Sequence, residues 1–225
     1  VSTEPSPLST EILFHAGPIP IARSVVTTSV IVAVLGLLSW ASTRRMDRRP
    51  GPRQAALEGI VVLVGTELRE ILQRDPEPFL PLLGTLFLFL VVANLSALLP
   101  GVKAPTASLD TPAALAIVVF VSAHVHGIRA QGVRRYLRSY LEPNPLLLPL
   151  NILSEITRTF SLMVRLFGNM MSHELVIGIV ATIAGLFVPI PFMALGILIG
   201  IIQAYIFAIL ATLFIAAAIG AAEKG

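Results

Sequence analysis

The sequence predicts an all-α membrane protein with about five membrane-inserted helices, one amphipathic interfacial helix and a long tilted C-terminal helical hairpin. Three observations lead there. Of the 225 residues, 55% are hydrophobic and only 13% charged, too little charge to cover a water-soluble domain of this size. The apolar residues gather in blocks long enough to cross a bilayer. The basic residues sit in short loops beside those blocks, where they read as orientation signals rather than as a nucleic-acid surface, despite a net charge of +3. The absence of cysteine removes disulfide frameworks and thiolate metal sites from consideration.

Residues 1–24 lack the basic start and apolar run of a secretory leader and are expected to form an extracytoplasmic N-terminal segment. Residues 25–41 form the first transmembrane helix, with Trp40 at the interface where indole rings prefer to sit. Residues 42–78 are a cytoplasmic basic loop followed by an amphipathic helix. The cluster Arg44, Arg45, Arg48, Arg49 and Arg53 fixes that side as cytoplasmic and the N-terminus as outside. From Gln54 to Arg74, Ala55, Leu57, Ile60, Val61, Val64, Leu68, Ile71 and Leu72 recur at helical spacing among five charged residues, which suits a helix lying in the interface. Prolines in DPEPFLP stop it.

Residues 79–128 form a transmembrane helical pair. The first member is interrupted only by Asn94 and Ser96, and Asp110 is placed to cap the second, with Pro112 in its first turn. Residues 129–145 are a second basic cytoplasmic loop carrying Arg129, Arg134, Arg135 and Arg138, on the same side as the first. His124 and His126 read as interfacial. Residues 146–225 are the hairpin. Its first arm, as one helix, would extend roughly 60 Å, twice the hydrocarbon thickness, and must be tilted, curved or broken. Pro189 and Pro191 are expected to make the turn, and the return helix carries one strongly polar residue, Gln203, before the C-terminus ends in the cytoplasm. The chain shows no internal repeats.

The first arm holds Glu155, Arg158, Arg165, Asn169, His173 and Glu174. A charge at mid-membrane costs at least about 2.5–3.5 kcal/mol, and Arg165 lies too deep for its side chain to reach an interface easily. At about 100° per residue, Arg158, Leu162, Arg165 and Asn169 share a stripe, whereas Glu174 falls about 180° from Arg165. Arg165 and Glu174 therefore cannot pair within the helix. An arginine that merely pins the bundle remains the competing reading, alongside one that lines an ion path.

The stretch SEITRTFSLMVRLFGNMMSHELV, followed after a proline turn by LIGIIQAYIFAILATLFIAAAI, resembles the two C-terminal helices of subunit a of F-type ATP synthases. VANLSALLPG and PTASLDTPAALAIVVF resemble that family's earlier helices, so the likeness covers roughly residues 75 to 220. The resemblance implies an ion-translocating stator subunit that forms two half-channels against a rotating c-ring and couples proton or sodium flow to rotation. It implies peripheral-stalk b-type subunits as further partners and a multi-pass place in the bacterial inner membrane. It makes Arg165 the essential stator arginine and Gln203 the glutamine that faces it. It associates Asn169, Glu174, Asn94 and Ser96 with the outer half-channel, and Glu155 and Arg158 stand as they do in many members. Arg158 lies about 10 Å toward the cytoplasm from Arg165 at 1.5 Å per residue, which suits the inner exit of the ion path.

The departures also carry expectations. His173 stands where relatives often have a small residue, and Gly196 where some carry histidine, so His173 is assigned proton relay beside Glu174. Thr159 replaces a common proline, which leaves that half of the helix straighter. No cofactor is expected, since the sequence has neither a phosphate-cradling loop nor zinc-ligand spacing, and ATP is handled by another subunit. The alternative, a stand-alone secondary transporter with an intramembrane arginine site, would call for paired repeats and interrupted spans.

Overall fold

The computed structural model describes residues 12–16, 19–43, 52–73, 75–98, 102–141, 144–185 and 187–220. Arg44, Arg45, Arg48 and Arg49 of the first basic cluster lie outside the described residues, as does the C-terminal tail from residue 221. Among the described residues five helices are long and apolar enough to cross a membrane, which makes the chain an all-α, multi-pass membrane protein.

A two-stranded antiparallel hairpin, β1 (Ile12–Ala16) and β2 (Ile19–Ala22), precedes the helices. Alternation does not announce it, because Pro20 interrupts the second strand opposite His15. Helix α1 (Arg23–Thr43) follows directly. It is apolar all round, and among its described side chains only Ile31 is buried, so its surface is made for lipid. Helix α2 (Pro52–Leu72) is amphipathic, as its spacing predicts. It buries Leu68 and Leu72 and leaves Val61, Val62 and Leu63 exposed, so Val61 belongs to the outward face rather than to the packed stripe.

Helix α3 (Leu80–Leu95) ends in a 3-10 turn at Ser96–Leu98, and a second such turn at Pro105–Ala107 leads to α4 (Asp110–Gln131). Asp110 does not cap α4. Leu109 holds the cap position and Asp110 is the first helical residue, where its carboxylate still meets the positive end of the helix and accepts a bond from Ser24 Oγ at 3.4 Å. Helix α4 also runs past His126, so both histidines are helical. Gly132, at φ 79°, redirects the chain into the short α5 (Val133–Ser139).

Helix α6 (Leu148–Ala184) is continuous over 37 residues. Of the three ways to fit such a length, a break is excluded. The helix passes through Thr159, whose hydroxyl bonds the Glu155 carbonyl at 3.0 Å. The turn into α7 (Pro189–Gly220) is made by Gly185, at φ 75° and ψ −168°, and not by the prolines. Pro189 and Pro191 sit in the first turn of α7, where a missing N–H costs no helical bond.

Helix α7 is the shared wall of the bundle, packing against α2, α3, α4 and α6. Ala204, Phe207, Ala211 and Ile215 meet Leu83 and Leu90 of α3, Val119 of α4 and Leu166 of α6 in one buried cluster. Small residues at Gly200, Ala204 and Ala211 let neighbouring backbones approach, which is how helices associate where lipid offers no hydrophobic contrast. Alanine at Gly185 would meet no atom within 4 Å, so its cost is conformational alone. Gly185→Ala is expected to destabilise the fold by about 1–3 kcal/mol, measured by denaturant unfolding in detergent.

Candidate functional site

Arg165 lies seventeen residues from the start of α6 and nineteen from its end. Its neighbours Leu162 and Leu166 are buried against the bundle, which turns Arg165 to the exposed side. Among the described residues it has no acidic partner and no hydrogen-bond acceptor. That removes the reading in which it pins the bundle through Glu155 or Glu174. A guanidinium is a strong, permanently charged donor, and here the described residues supply nothing for it to hold.

Polar groups lie along α6 on both sides of this charge. One turn on, Asn169 Nδ2 donates to Gln203 Oε1 of α7. Gln203 is buried, so the bond ties the hairpin arms together beside Arg165. His173 packs over Gly196: a Cβ there would stand 1.8 Å from His173 Nε2. The imidazole thus occupies the space that a side chain at position 196 would need. Glu174, about 13 Å along the axis from Arg165, turns inward, where its Oε1 accepts the Ala104 N–H at 3.0 Å. The two charges face different surroundings, as their angular separation requires.

Behind Glu174 sits a buried polar knot that fixes the same end of the bundle. Asn94 Nδ2 donates to the Gly200 carbonyl at 2.8 Å, and Thr106 Oγ1 donates to Asn94 Oδ1 at 2.9 Å. Asn94 thereby joins α3, α7 and the Pro105–Ala107 turn. Ser96 makes only a local bond, to the Ala93 carbonyl at 2.7 Å. Gly200 and Thr106 have no mark in the sequence, because glycine and threonine are common in membrane helices and their meaning here comes from what Asn94 reaches.

The other end of α6 is more open. A cavity of about 510 Å³ is lined by Ser154, Thr157, Arg158, Ser161 and Arg165, with Phe214 of α7. It shares Ser154, Arg158 and Phe214 with a second cavity of about 320 Å³, which reaches Tyr136, Tyr140, Asn151 and Glu155. The Arg158 guanidinium lies 5.4 Å from the centre of the Phe214 ring, a cation–π contact that leaves the charge facing the cavity. Glu155, about 15 Å along the axis from Arg165, accepts a hydrogen bond from the Tyr140 hydroxyl. The structure therefore brings Glu155 and Arg158 into the cavity system of Arg165, and places Asn169, His173, Gln203 and Glu174 on the other side of it. Asn94 and Ser96 contact neither. The tyrosines were missed because they belong to a loop read only for its arginines. Among the described residues no group of three or more histidine, aspartate or glutamate side chains could hold a metal ion.

Comparison with known proteins finds relatives along nearly the whole chain. The family model described as ATP synthase A chain matches residues 24–216. ATP synthase subunit a 2 of Bradyrhizobium sp. (strain BTAi1) is 60% identical over 220 residues, covering 98% of this chain and 99% of the relative. ATP synthase subunit a 2 of Pelobacter propionicus is 48% identical over 215 residues, covering 96% and 94%. ATP synthase subunit a 1 of Hahella chejuensis is 43% identical over 211 residues, covering 94% and 90%.

The contact between His173 and Gly196 makes a non-additive pair. Gly196→Ala alone is expected to destabilise the hairpin, since the ring must leave its seat. His173→Ala combined with Gly196→Ala should recover much of that loss. Melting temperatures of the four combinations in detergent check the coupling.

Proposed function

The chain belongs to the ATP synthase subunit a family, and from that premise we propose that it is the ion-translocating stator of a rotary F-type complex in a bacterial inner membrane. The observation that supports this best is Arg165, a fixed cation at mid-helix, exposed, and without a partner among the described residues of its own chain. A charge in that position calls for a counter-charge from another molecule. A ring of c subunits, each presenting a membrane-embedded carboxylate, supplies one at every step of rotation.

The chemistry then follows. A carboxylic acid arriving beside Arg165 lowers its free energy by ionising, because an opposite charge at a few ångströms favours the charged form. The released ion leaves, and the carboxylate passes the guanidinium as a transient ion pair. The same positive charge opposes a cation running straight from one side to the other, so flow is routed through the ring. Asn169 and Gln203 hold the α6–α7 seam beside the arginine, which keeps it from sliding with the passing rotor.

Two half-channels are assigned from the polar groups on either side of Arg165. The outer one uses Glu174, with His173 as its proton relay and Asn169 leading inward, while Asn94 braces that end by holding α7. Ser96 stands at its rim. The inner one is the pair of joined cavities that contain Arg158 and Glu155. By the positive-inside rule the basic loops, and hence the inner half-channel and the C-terminus, face the cytoplasm, with the N-terminus outside. The coupled ion is taken as the proton, which suits a path furnished with carboxylates and imidazoles rather than with a cage of oxygen ligands. The b-type subunits of the peripheral stalk would hold the chain against rotation.

Replacing Arg165 by alanine or leucine is expected to abolish gradient-driven ATP synthesis while the chain still copurifies with the c-ring. Retained coupling in that variant would sink the proposal. His173→Ala should slow ion-driven ATP synthesis in reconstituted vesicles without abolishing it. An undiminished rate would remove His173 from the path.

A further inference from the structure

His124 of α4 contacts Glu155 across the inner cavity wall, and the hydrogen atoms available to that contact do not suffice. Nδ1 of His124 lies 2.8 Å from the Phe120 carbonyl. A carbonyl only accepts, so Nδ1 carries the ring hydrogen and Nε2 of the neutral imidazole is a bare lone pair. That lone pair faces the Tyr140 oxygen at 3.4 Å and Glu155 Oε1 at 3.7 Å. Tyr140 already gives its hydrogen to Glu155 Oε2, and Tyr136 lies 2.9 Å from Tyr140, placed to give its own to the Tyr140 oxygen. Burial first, and then the neighbouring Glu155, pushes the Tyr140 hydroxyl well above the usual phenol range; burial also raises Tyr136. Both therefore stay protonated donors. The cluster is one hydrogen short.

Resting on the stator reading above, we infer that His124 and Glu155 form a proton-accepting pair in the inner half-channel, with the Tyr140 hydroxyl between them. The pair takes up one proton as it leaves the rotor carboxylic acid through cavity water. It binds at Nε2, giving an imidazolium that donates to Glu155 and to the Tyr140 oxygen. Loss of the same proton to water on the basic-loop side restores the neutral ring, so one proton enters, one leaves and no electron moves. Both side chains are about a quarter exposed, 27% for His124 and 26% for Glu155, which gives the proton a way out. Among the described residues that line this cavity, the other charged and titratable groups are Tyr136 and Tyr140 from the α5 segment and Arg158 beside Glu155 on α6. Helix α7 contributes Phe214, Ala217 and Ala218 to this wall, none of which titrates. Among the described residues Arg158 is the one fixed positive charge on the cavity wall, and it disfavours long retention of a second cation there.

Gly127 is part of the same construction. A Cβ there would stand 2.5 Å from the Tyr136 ring, so the glycine is the seat on which the tyrosine pair rests.

The test is ATP-driven proton pumping by the intact complex in vesicles whose basic-loop side faces the medium, read with a pH-sensitive dye. In weak buffer the His124→Asn complex is expected to pump about tenfold more slowly than the parent. ATP-driven pumping runs this path in reverse, drawing protons in from the medium, so a concentrated membrane-impermeant buffer with a pKa near 7 should restore the rate by delivering them in place of the lost pair. Tyr140→Phe, which keeps the ring and removes the bridging hydroxyl, should show a smaller loss with the same rescue, and serves if the His124 variant fails to assemble. An unchanged rate in weak buffer, or a loss that buffer does not relieve, overturns the inference. A parent complex that pumps sodium with no proton signal overturns it too, yet leaves the stator reading standing. Coupling that survives Arg165→Ala defeats the stator reading itself, whatever His124 does.

Discussion

The structure depends on one electrostatic constraint, that a guanidinium held at mid-membrane depth must be balanced. Within this chain Arg165 is not balanced by any described group. Its neighbours on α6 are spent elsewhere: Asn169 on Gln203, Glu174 on the Ala104 amide, Glu155 on Tyr140. Of these, Asn169 is the nearest, and its bond to Gln203 keeps it from turning onto the arginine. The fold spends its polar side chains on holding the charge available, at a cost of at least about 2.5–3.5 kcal/mol for its depth. Under the stator reading, a passing rotor carboxylate offsets that cost.

The rest of the bundle makes that availability durable. Helix α7, packed against α2, α3, α4 and α6, supplies a rigid backing for α6. The Asn94–Gly200–Thr106 knot fixes one end of that backing with two buried hydrogen bonds. At the other end, Gln131 of α4 donates to the Ala218 carbonyl at 2.8 Å. Polar contacts of this kind set which neighbours meet, because a mismatched pairing would leave a donor bare in hydrocarbon. Dispersion between Phe207, Leu90, Leu166 and Ile215 then fills the space between.

Much of this was legible from residue patterns. Blocks of apolar residues gave the five helices long enough to cross, and the charged residues among aliphatic ones gave the amphipathic character of α2. The angular argument separated Arg165 from Glu174 correctly, since an unbroken helix leaves no freedom in that count. What stayed hidden needed partners from other elements. Asp110 looks like a cap because aspartate often is one, but the chain enters α4 a residue earlier. Pro189 and Pro191 look like the turn, although proline is equally at home in a first helical turn and the positive φ fell to Gly185. His124 and Tyr140 are separated by the end of α4, Gly132 and the short helix α5, and no periodicity links them to Glu155.

The connection between the long arms is very short, residues 185–188, and it acts as a ruler. Asn169 stands sixteen residues before Gly185, and Gln203 fifteen after Val188. Their meeting therefore depends on how many residues span the bend. One residue added there would carry Gln203 about 1.5 Å along the axis and about 100° around it relative to Asn169. The seam beside the arginine would then face an aliphatic side chain, with every local sequence motif still intact. Length at this bend is as much a part of the site as any side chain in it.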